Sequence, residues 1–457
     1  MDVFSALQTA VSGMKAQGFS LENISGNIAN SQTTGFKRVD TSFVDLVAEQ
    51  SPSRQVSGSV RANSVLTNSI QGNIIATEIP TNIALNGPGF FAVQAGAGSI
   101  NGQTAFTPGN LYTRRGDFKQ DNEGYLRNGG GAYLTGTSLD PATGLATGEG
   151  PIQISTLPVL GKPTSTIEYS TSLPQTPAAK LTGAVFSADS KTPIILDGTG
   201  QTGTVAAGDA STLINGSHEG PILQLYSSSG QPVTVNTRWA KVQDATAQVG
   251  ETAAKPAVWN LYYANSSTAG QTSSQWTNAG TAFQFDTTGK LTSPATNSIS
   301  IPNITVNNVA LGNITMSYGA GGLTTTNGNT ITPNYFRQDG FTSGTLKGIS
   351  VSESGEVVGS YTNGNTIALA RINVVQFANP DGLKADSSGN YRQTLDSGVP
   401  LTGLNGTTIE GQNIEQSNTD IASEFSKMIV TQQAYSANTK VISTAQDMMS
   451  SLINIIR

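Results

Sequence analysis

The sequence predicts a mainly β protein, in which two nested antiparallel β domains are joined to paired N- and C-terminal α-helices that form a coiled-coil-like inner domain. Three features lead there. Apolar residues recur at alternating three- and four-residue steps at both ends of the 457-residue chain, the spacing of a heptad seam. Between the ends, Asn-Gly recurs at 86–87, 101–102, 128–129, 215–216, 327–328, 363–364 and 405–406, and Asp-Gly at 197–198, 339–340 and 381–382. Flanked by Val, Ile, Thr and Tyr, these pairs signal hairpins. All three tryptophans, Trp239, Trp259 and Trp276, fall within 156–335, as anchors of a separate core would.

The first element is a helix over about 3–30, with Phe4, Leu7, Val11, Met14, Leu21 and Ile28 on one seam and Gly18 and Ser25 as its lapses. Asp2 stands where an N-cap or dipole partner helps. Such a helix would be about 42 Å long. Gly13, Gly18 and Gly26 each cost it about 1 kcal/mol relative to alanine, so it is weak alone. The stretch NISGNIANSQTTGFKR, 23–38, then ends it. Asn27, Asn30 and the threonines can bond backbone groups freed at a helix end. Gly35 permits a positive φ, and Phe36 offers an anchor. Two readings are open: a turn that contacts another subunit, or a plain helix-ending loop.

Residues 33–70 are polar, with few large apolar residues, and read as a linker region. The stretches 85–93 (LNGPGFFAV), 111–118 (LYTRRGDF), 356–361 (EVVGSY) and 369–377 (LARINVVQF) read as strands. They place one β domain in 71–155 and 336–415. The Thr/Ser/Asn-rich 156–335 is an outer β domain inserted into it. The last element is a helix running from a Ser417–Asp420 capping box to the C-terminus, about 54 Å long. Its seam is Ile421, Phe425, Met428, Gln432, Tyr435, Thr439, Ile442, Gln446, Met449, Ile453 and Ile456, eight of eleven positions apolar. The helical inner domain is thus 1–32 with 416–457. No third helix is evident to complete a bundle, so the seams are expected to be buried between copies of the chain. In a monomer both ends are expected to be largely disordered, because neither helix can bury its seam alone. The seam residues together with Asn27, Asn30, Gly35 and Phe36 are the subunit-interface candidates.

Composition excludes several classes. Charged residues are 12% of the chain and net charge is −6, about half the usual charged share of roughly 25%. With no basic stripe, nucleic-acid binding is not expected. Cysteine is absent, which removes disulfides and thiolate metal sites. No apolar run reaches the ~18 residues of a membrane span, and MDVFSALQTAV lacks the pattern of a cleaved secretory signal. The one histidine, His218, lies between Ser217 and Glu219. Neighbours on a turn rarely face one another as a catalytic relay requires, and zinc sites with two or three histidines are impossible. DNEG at 121–124 lacks the spaced carboxylates of a calcium loop. NGGGA at 128–132 lacks the Lys-Ser/Thr of a phosphate loop. No catalytic residue, cofactor or metal is expected. A glycosidase-like carboxylate pair is a matter of spatial distance that sequence does not address.

At residues 5–38 the chain resembles the flagellar rod–hook–hook-associated family of axial proteins. LNGPGFFAV is similar to that family's Asp-Gly-x-Gly-Phe-Phe strand, with Asn86 in place of Asp. Residues 112–136 match its Tyr-Thr-Arg-x-Gly-x-Phe segment. Residues 414–449 resemble its C-terminal helix, with Thr419 where Val is usual. The stretch 341–383 and the large insertion resemble the hook branch of the family; rod members resemble both ends but are generally shorter. The resemblance covers about 1–136 and 340–457.

The resemblance implies a structural protein, not an enzyme, exported unfolded through the flagellar type III apparatus without a cleaved signal. It implies assembly outside the cell into a helical homopolymer, a curved tube with terminal helices lining the inner wall. It implies a joint that transmits torque while bending, with the hook cap, distal rod and hook–filament junction proteins as partners. A distal rod subunit is the alternative within the family. A secreted adhesin or surface-layer protein shares the Thr/Asn-rich β composition, and a glycan hydrolase is the third class.

Overall fold

The computed structural model describes residues 3–46, 59–100, 102–175, 181, 203–248, 254–266, 274–319 and 322–456. Asp2 and the Asp-Gly pair at 197–198 lie outside them. The chain divides into two compact units: Met1–Leu157 with Leu346–Tyr361 and Thr366–Arg457, and Pro158–Thr345 with Thr362–Asn365.

The first unit is built on a strand, Phe90–Ile100, that pairs antiparallel with Leu111–Thr113, Ala132–Leu139, Gln103–Phe106 and Val374–Gln376. Successive side chains of a strand point to opposite faces. Phe91 and Val93 enter one core with Ile83, Leu85, Phe118, Leu134, Val357, Ile372 and Ile409. Phe90 and Ala92 enter a second with Tyr112, Phe377, Leu383 and Tyr391. Burial on both faces explains why GFFAV reads as an unbroken apolar run.

Three expected strands are interrupted, and the one read at 85–93 is split at 87–89 between Ile83–Asn86 and Phe90–Ile100. The strand read at 111–118 stops at Thr113, because Gly116 closes backbone against backbone on Ile83, accepting its N–H at 3.0 Å. No side chain fits at Gly116, whose Cβ would collide with the Ile83 carbonyl oxygen. The strand read at 369–377 breaks at Asn373. The Asn373 N–H donates to the Thr135 carbonyl at 3.1 Å, and its own carbonyl accepts from Ala92 N–H at 3.0 Å; the chain changes partners there. Asn363-Gly364 forms the expected hairpin tip, whereas Asn215-Gly216 ends the short helix Ala210–Gly216.

The N-terminal helix spans Val3–Ala29 and the C-terminal helix Ile421–Ile456. They pack on each other, and the N-terminal helix also packs on a β ribbon. That ribbon corrects the linker reading of 33–70. Val39–Leu46 and Ser59–Leu66 pair antiparallel, from Val39 opposite Leu66 to Leu46 opposite Ser59. Polar side chains hold it to the helix: Asn23 Nδ2 donates to Thr41 Oγ1 at 2.9 Å and Ser12 Oγ accepts from Val60 N–H at 3.3 Å. A ribbon docked this way needs few apolar residues, which is why composition hid it. It also supplies a third layer that no third helix provides, so that the two helices and the ribbon cover one another within one chain, contrary to the expectation of ends disordered in the monomer. Gly13 allows the close approach of Asn438 from the C-terminal helix, whose side chain lies 3.0 Å from where a Cβ would stand.

The capping box shifts by one turn. Asp420 is itself the cap, its Oδ1 accepting from Ser423 N–H at 2.9 Å, while Ser417 Oγ accepts from Thr419 N–H at 3.2 Å.

In the second unit a six-stranded sheet includes Ser274–Phe285, Ala257–Ala264 and Thr237–Gln243 in antiparallel order. The five-stranded sheet departs from the antiparallel expectation. Thr166–Pro174 runs parallel to Val309–Ser317 and Leu323–Thr326 but antiparallel to Thr332–Gln338. Trp239 and Trp259 are fully buried in one core, and Trp276 lies in another with Tyr262 and Leu213. Trp239 Nε1 donates to Tyr169 Oη at 3.2 Å.

Candidate assembly interface

The helix end at 23–38 is built by its own side chains. Asn30 Nδ2 donates to the Gly26 carbonyl at 2.9 Å, Ser31 Oγ to that of Ile28 at 2.8 Å, and Thr33 Oγ1 to Asn30 Oδ1 at 3.1 Å. The first two add a side-chain donor to carbonyls that already accept the Asn30 and Ser31 N–H groups, and the third ties Thr33 to the Asn30 side chain. Asn27 does something different. Its Oδ1 accepts from Val39 N–H at 2.8 Å while its Nδ2 donates to the Val39 carbonyl at 2.9 Å and to Glu424 Oε2 at 3.0 Å. A primary amide carries the donor–acceptor pair of a peptide unit, so Asn27 acts as one more rung at the ribbon's start and ties both helices to it. Lys427 Nζ then bridges Glu424 Oε1 at 2.9 Å and Asp40 Oδ1 at 3.1 Å. Partial burial lowers the Lys427 pKa, but the bonds to Glu424 and Asp40 outweigh it and raise the value overall.

Gly35 has φ of +66°, and a Cβ there would press on the Arg114 backbone at 2.7 Å. Phe36 is half-buried and its carbonyl accepts from Asn418 N–H at 3.3 Å. Just beyond lies an ionic knot. Lys37 Nζ meets Glu415 Oε1 at 2.5 Å and Arg114 Nη1 meets Glu415 Oε2 at 3.2 Å, with the side chains 0%, 3% and 0% exposed for Lys37, Arg114 and Glu415. Burial pushes both cations below their ordinary pKa, with Glu415 opposing the shift. Sequence reasoning did not single out Lys37, Arg114, Glu415 or Glu424. The available signal was charge inside otherwise apolar or turn-forming motifs, in a chain that uses charge sparingly.

The expected seam separates into two stripes. Leu7, Val11, Met14, Leu21 and Ile28 are half-buried, while the fully covered N-terminal helix positions are Ala10, Ala16, Ser20, Ile24 and Asn27. On the C-terminal helix, Met428, Ile442 and Met449 are half-buried and share a three-four stripe with the buried Thr431 and Ala445. Ile421, Phe425 and Tyr435 are exposed, and so are Ile429, Val430, Val441 and Met448. Phe425 is 50% and Val430 63% exposed, far more than a core helix leaves such residues. An apolar groove lined by Ala6, Ala437, Val441, Ala445 and Met448 lies beside them. The side chains of Phe4, Ile453 and Ile456 lie outside the described residues.

In the Ser217–His218–Glu219 trio the serine hydroxyl proton is directed at a backbone carbonyl. Ser217 Oγ donates to the Leu213 carbonyl at 2.5 Å and accepts from Arg238 Nε at 2.8 Å. His218 and Glu219 sit in a strand rather than a turn, His218 opposite Trp239. Asp121 closes a β-turn, accepting from the Glu123 and Tyr125 N–H groups. Among the described residues no group of three or more His, Asp or Glu is placed to hold a metal, and no helix is long and apolar enough to cross a membrane.

Two family models match the ends of the chain: flagella basal body rod protein over residues 7–37, and flagellar basal body rod FlgEFG protein C-terminal over 410–455. These are the two segments that meet at the knot. The flagellar hook protein FlgE of Brucella abortus is 30% identical over the whole of both chains. The chain belongs to the flagellar hook protein family. The hook proteins of Salmonella typhimurium and Escherichia coli are 28% and 27% identical, over 98% of this chain and 98% and 100% of their own lengths. The crystal structure of a Helicobacter pylori hook protein, FlgE2, shares the fold with a TM-score of 0.50 at 14% identity, covering 75% of this chain and all of that one. As a hook protein the chain is a structural subunit of the flagellar axis.

Proposed function

We propose that this hook subunit polymerises with copies of itself into a curved, flexible tube that serves as a universal joint between rod and filament. The observation that carries the reading is the set of exposed apolar side chains on the C-terminal helix, Phe425 and Ile429 on one face and Val430, Val441 and Met448 on another, in a chain similar to hook proteins along its whole length. Fully burying one large apolar side chain is worth about 1.5–3 kcal/mol, so covering these half-exposed ones favours a cohesive helical layer between copies. Of the candidate residues, Ile421, Phe425 and Tyr435, with Ile429, Val430, Val441 and Met448, are the exposed ones and make the proposed assembly face; Asn27 and Gly35 are buried within the chain and act through its fold. The Thr/Ser/Asn-rich second unit offers polar contacts, which exchange at low cost and suit surfaces that slide as a tube bends.

Under this reading the protein leaves the cell through the flagellar type III apparatus and meets the hook cap, the distal rod and the hook–filament junction proteins. A distal rod role rests on family models confined to the two ends, whereas similarity along the full length favours the hook. Electron microscopy tests the proposal: purified full-length protein at high concentration is expected to form hollow curved tubes. A version lacking 3–29 and 421–456 is expected to form none. Tubes built from that truncated chain would overturn the assignment.

A further inference from the structure

The buried ionic knot joins four stretches of chain at one carboxylate. Besides Lys37 and Arg114, the Glu415 side chain accepts from Gly72 N–H at 2.8 Å, and its backbone carbonyl accepts from Gly35 N–H at 2.7 Å. Lys37 Nζ also donates to the Ile70 carbonyl at 2.6 Å, and Arg114 Nη2 to that of Gly87 at 2.7 Å. Gly72 packs so tightly on Gln416 that a Cβ would strike its carbonyl oxygen. Lys37 lies just past the end of the N-terminal helix, and Glu415 just before the start of the C-terminal one. Both helices therefore spring from one point.

Burying three charges is a poor route to stability, since well-packed apolar side chains often do as well or better. Charge-assisted hydrogen bonds supply direction, short and fixed in geometry. We propose that Glu415 is a positioning residue for assembly: by clamping Lys37, Arg114 and the 70–72 segment, it sets the direction in which both terminal helices leave the β core. Only the tube arm of the test below rests on the polymer reading.

Two variants separate direction from folding. Glu415→Gln removes the anion. Lys37→Met keeps the stem and leaves Arg114 and Glu415 as a neutral pair, so it folds even if the first does not. Limited trypsin digestion of full-length monomer, read by mass spectrometry, reports the clamp directly, because Lys37 and Arg38 are cleavage points. Cleavage after Arg38 in both variants, and after Lys37 in Glu415→Gln, is expected to accelerate by about tenfold or more, as for a locally opened segment. Cleavage after Lys241 and Arg371 is expected to stay at the wild-type rate. By electron microscopy, the protein concentration needed for tubes is expected to rise by about tenfold. Wild-type cleavage, equal acceleration at all sites, or tubes at wild-type concentration in Lys37→Met would overturn the proposal. Failure of wild-type protein to form tubes would instead count against the polymer reading and leave the trypsin arm decisive.

Discussion

Asn27 shows how much one side chain can hold. It is 1% exposed and bonds both backbone groups of Val39 and the carboxylate of Glu424. Asn27→Ala leaves a buried N–H and a buried carboxylate short of a partner, each worth about 1–3 kcal/mol. Hydrogen exchange is expected to show protection lost at the Val39 amide and along 20–28, with the amides of Phe91 and Val93 unchanged. Asn27→Asp is expected to do at least as much harm, since it keeps the acceptor but sets a second negative charge against Glu424. From sequence, Asn27 reads as a helix-end residue because local side chain–backbone bonds are all that neighbours in sequence can reveal. Its partner Glu424 lies 397 positions away, and no periodicity connects them. Asn30 and Ser31 do cap locally, and there the local chemistry was sufficient.

At the level of elements, both terminal helices were legible from their three-four spacing, though the C-terminal one is capped by Asp420 and not by Ser417 as expected. What the spacing left unresolved was which stripe belongs to which partner. Met428, Ile442 and Met449 lie on the covered side of the C-terminal helix, whereas Ile421, Phe425 and Tyr435 do not. A long helix with apolar residues on more than one stripe satisfies the same pattern whether its neighbour is in the same chain or another. The division gives a prediction. Phe425→Ser combined with Ile429→Ser removes two exposed apolar side chains and is expected to leave monomer helicity by circular dichroism unchanged. If these side chains are buried between copies, each, being already half covered, contributes about half of the 1.5–3 kcal/mol of full burial. The concentration at which tubes appear is then expected to rise by roughly ten- to a hundredfold, at tenfold per 1.4 kcal/mol. Tubes at the wild-type concentration would remove this face from assembly. The ribbon of Val39–Leu46 and Ser59–Leu66 was missed for the opposite reason: its side chains hydrogen-bond to the helix, so it carries little of the apolar alternation by which strands are read.

Across the whole molecule, the mainly β character and the helices at both ends were legible, because Asn-Gly pairs and heptad spacing are local signals. Parallel pairing of Thr166–Pro174 was not, since its partners Val309–Ser317 and Leu323–Thr326 arrive more than a hundred residues later. The second unit, Pro158–Thr345, has its own cores around Trp239 and Trp276. Replacing it with a short Gly-Ser linker is expected to leave a chain that still polymerises, into tubes straighter or mechanically altered under the electron microscope. Loss of all polymers would mean that this unit, and not only the terminal helices, determines assembly.

The knot has one more implication. Lys37 is neutralised by a carboxylate 378 positions further along. A chain that stops anywhere short of residue 415 carries a lysine meant for the interior without its anion, and its leading helix keeps the ribbon but not the C-terminal helix to pack on. Such incomplete copies are expected to leave Lys37 and Arg38 open to trypsin.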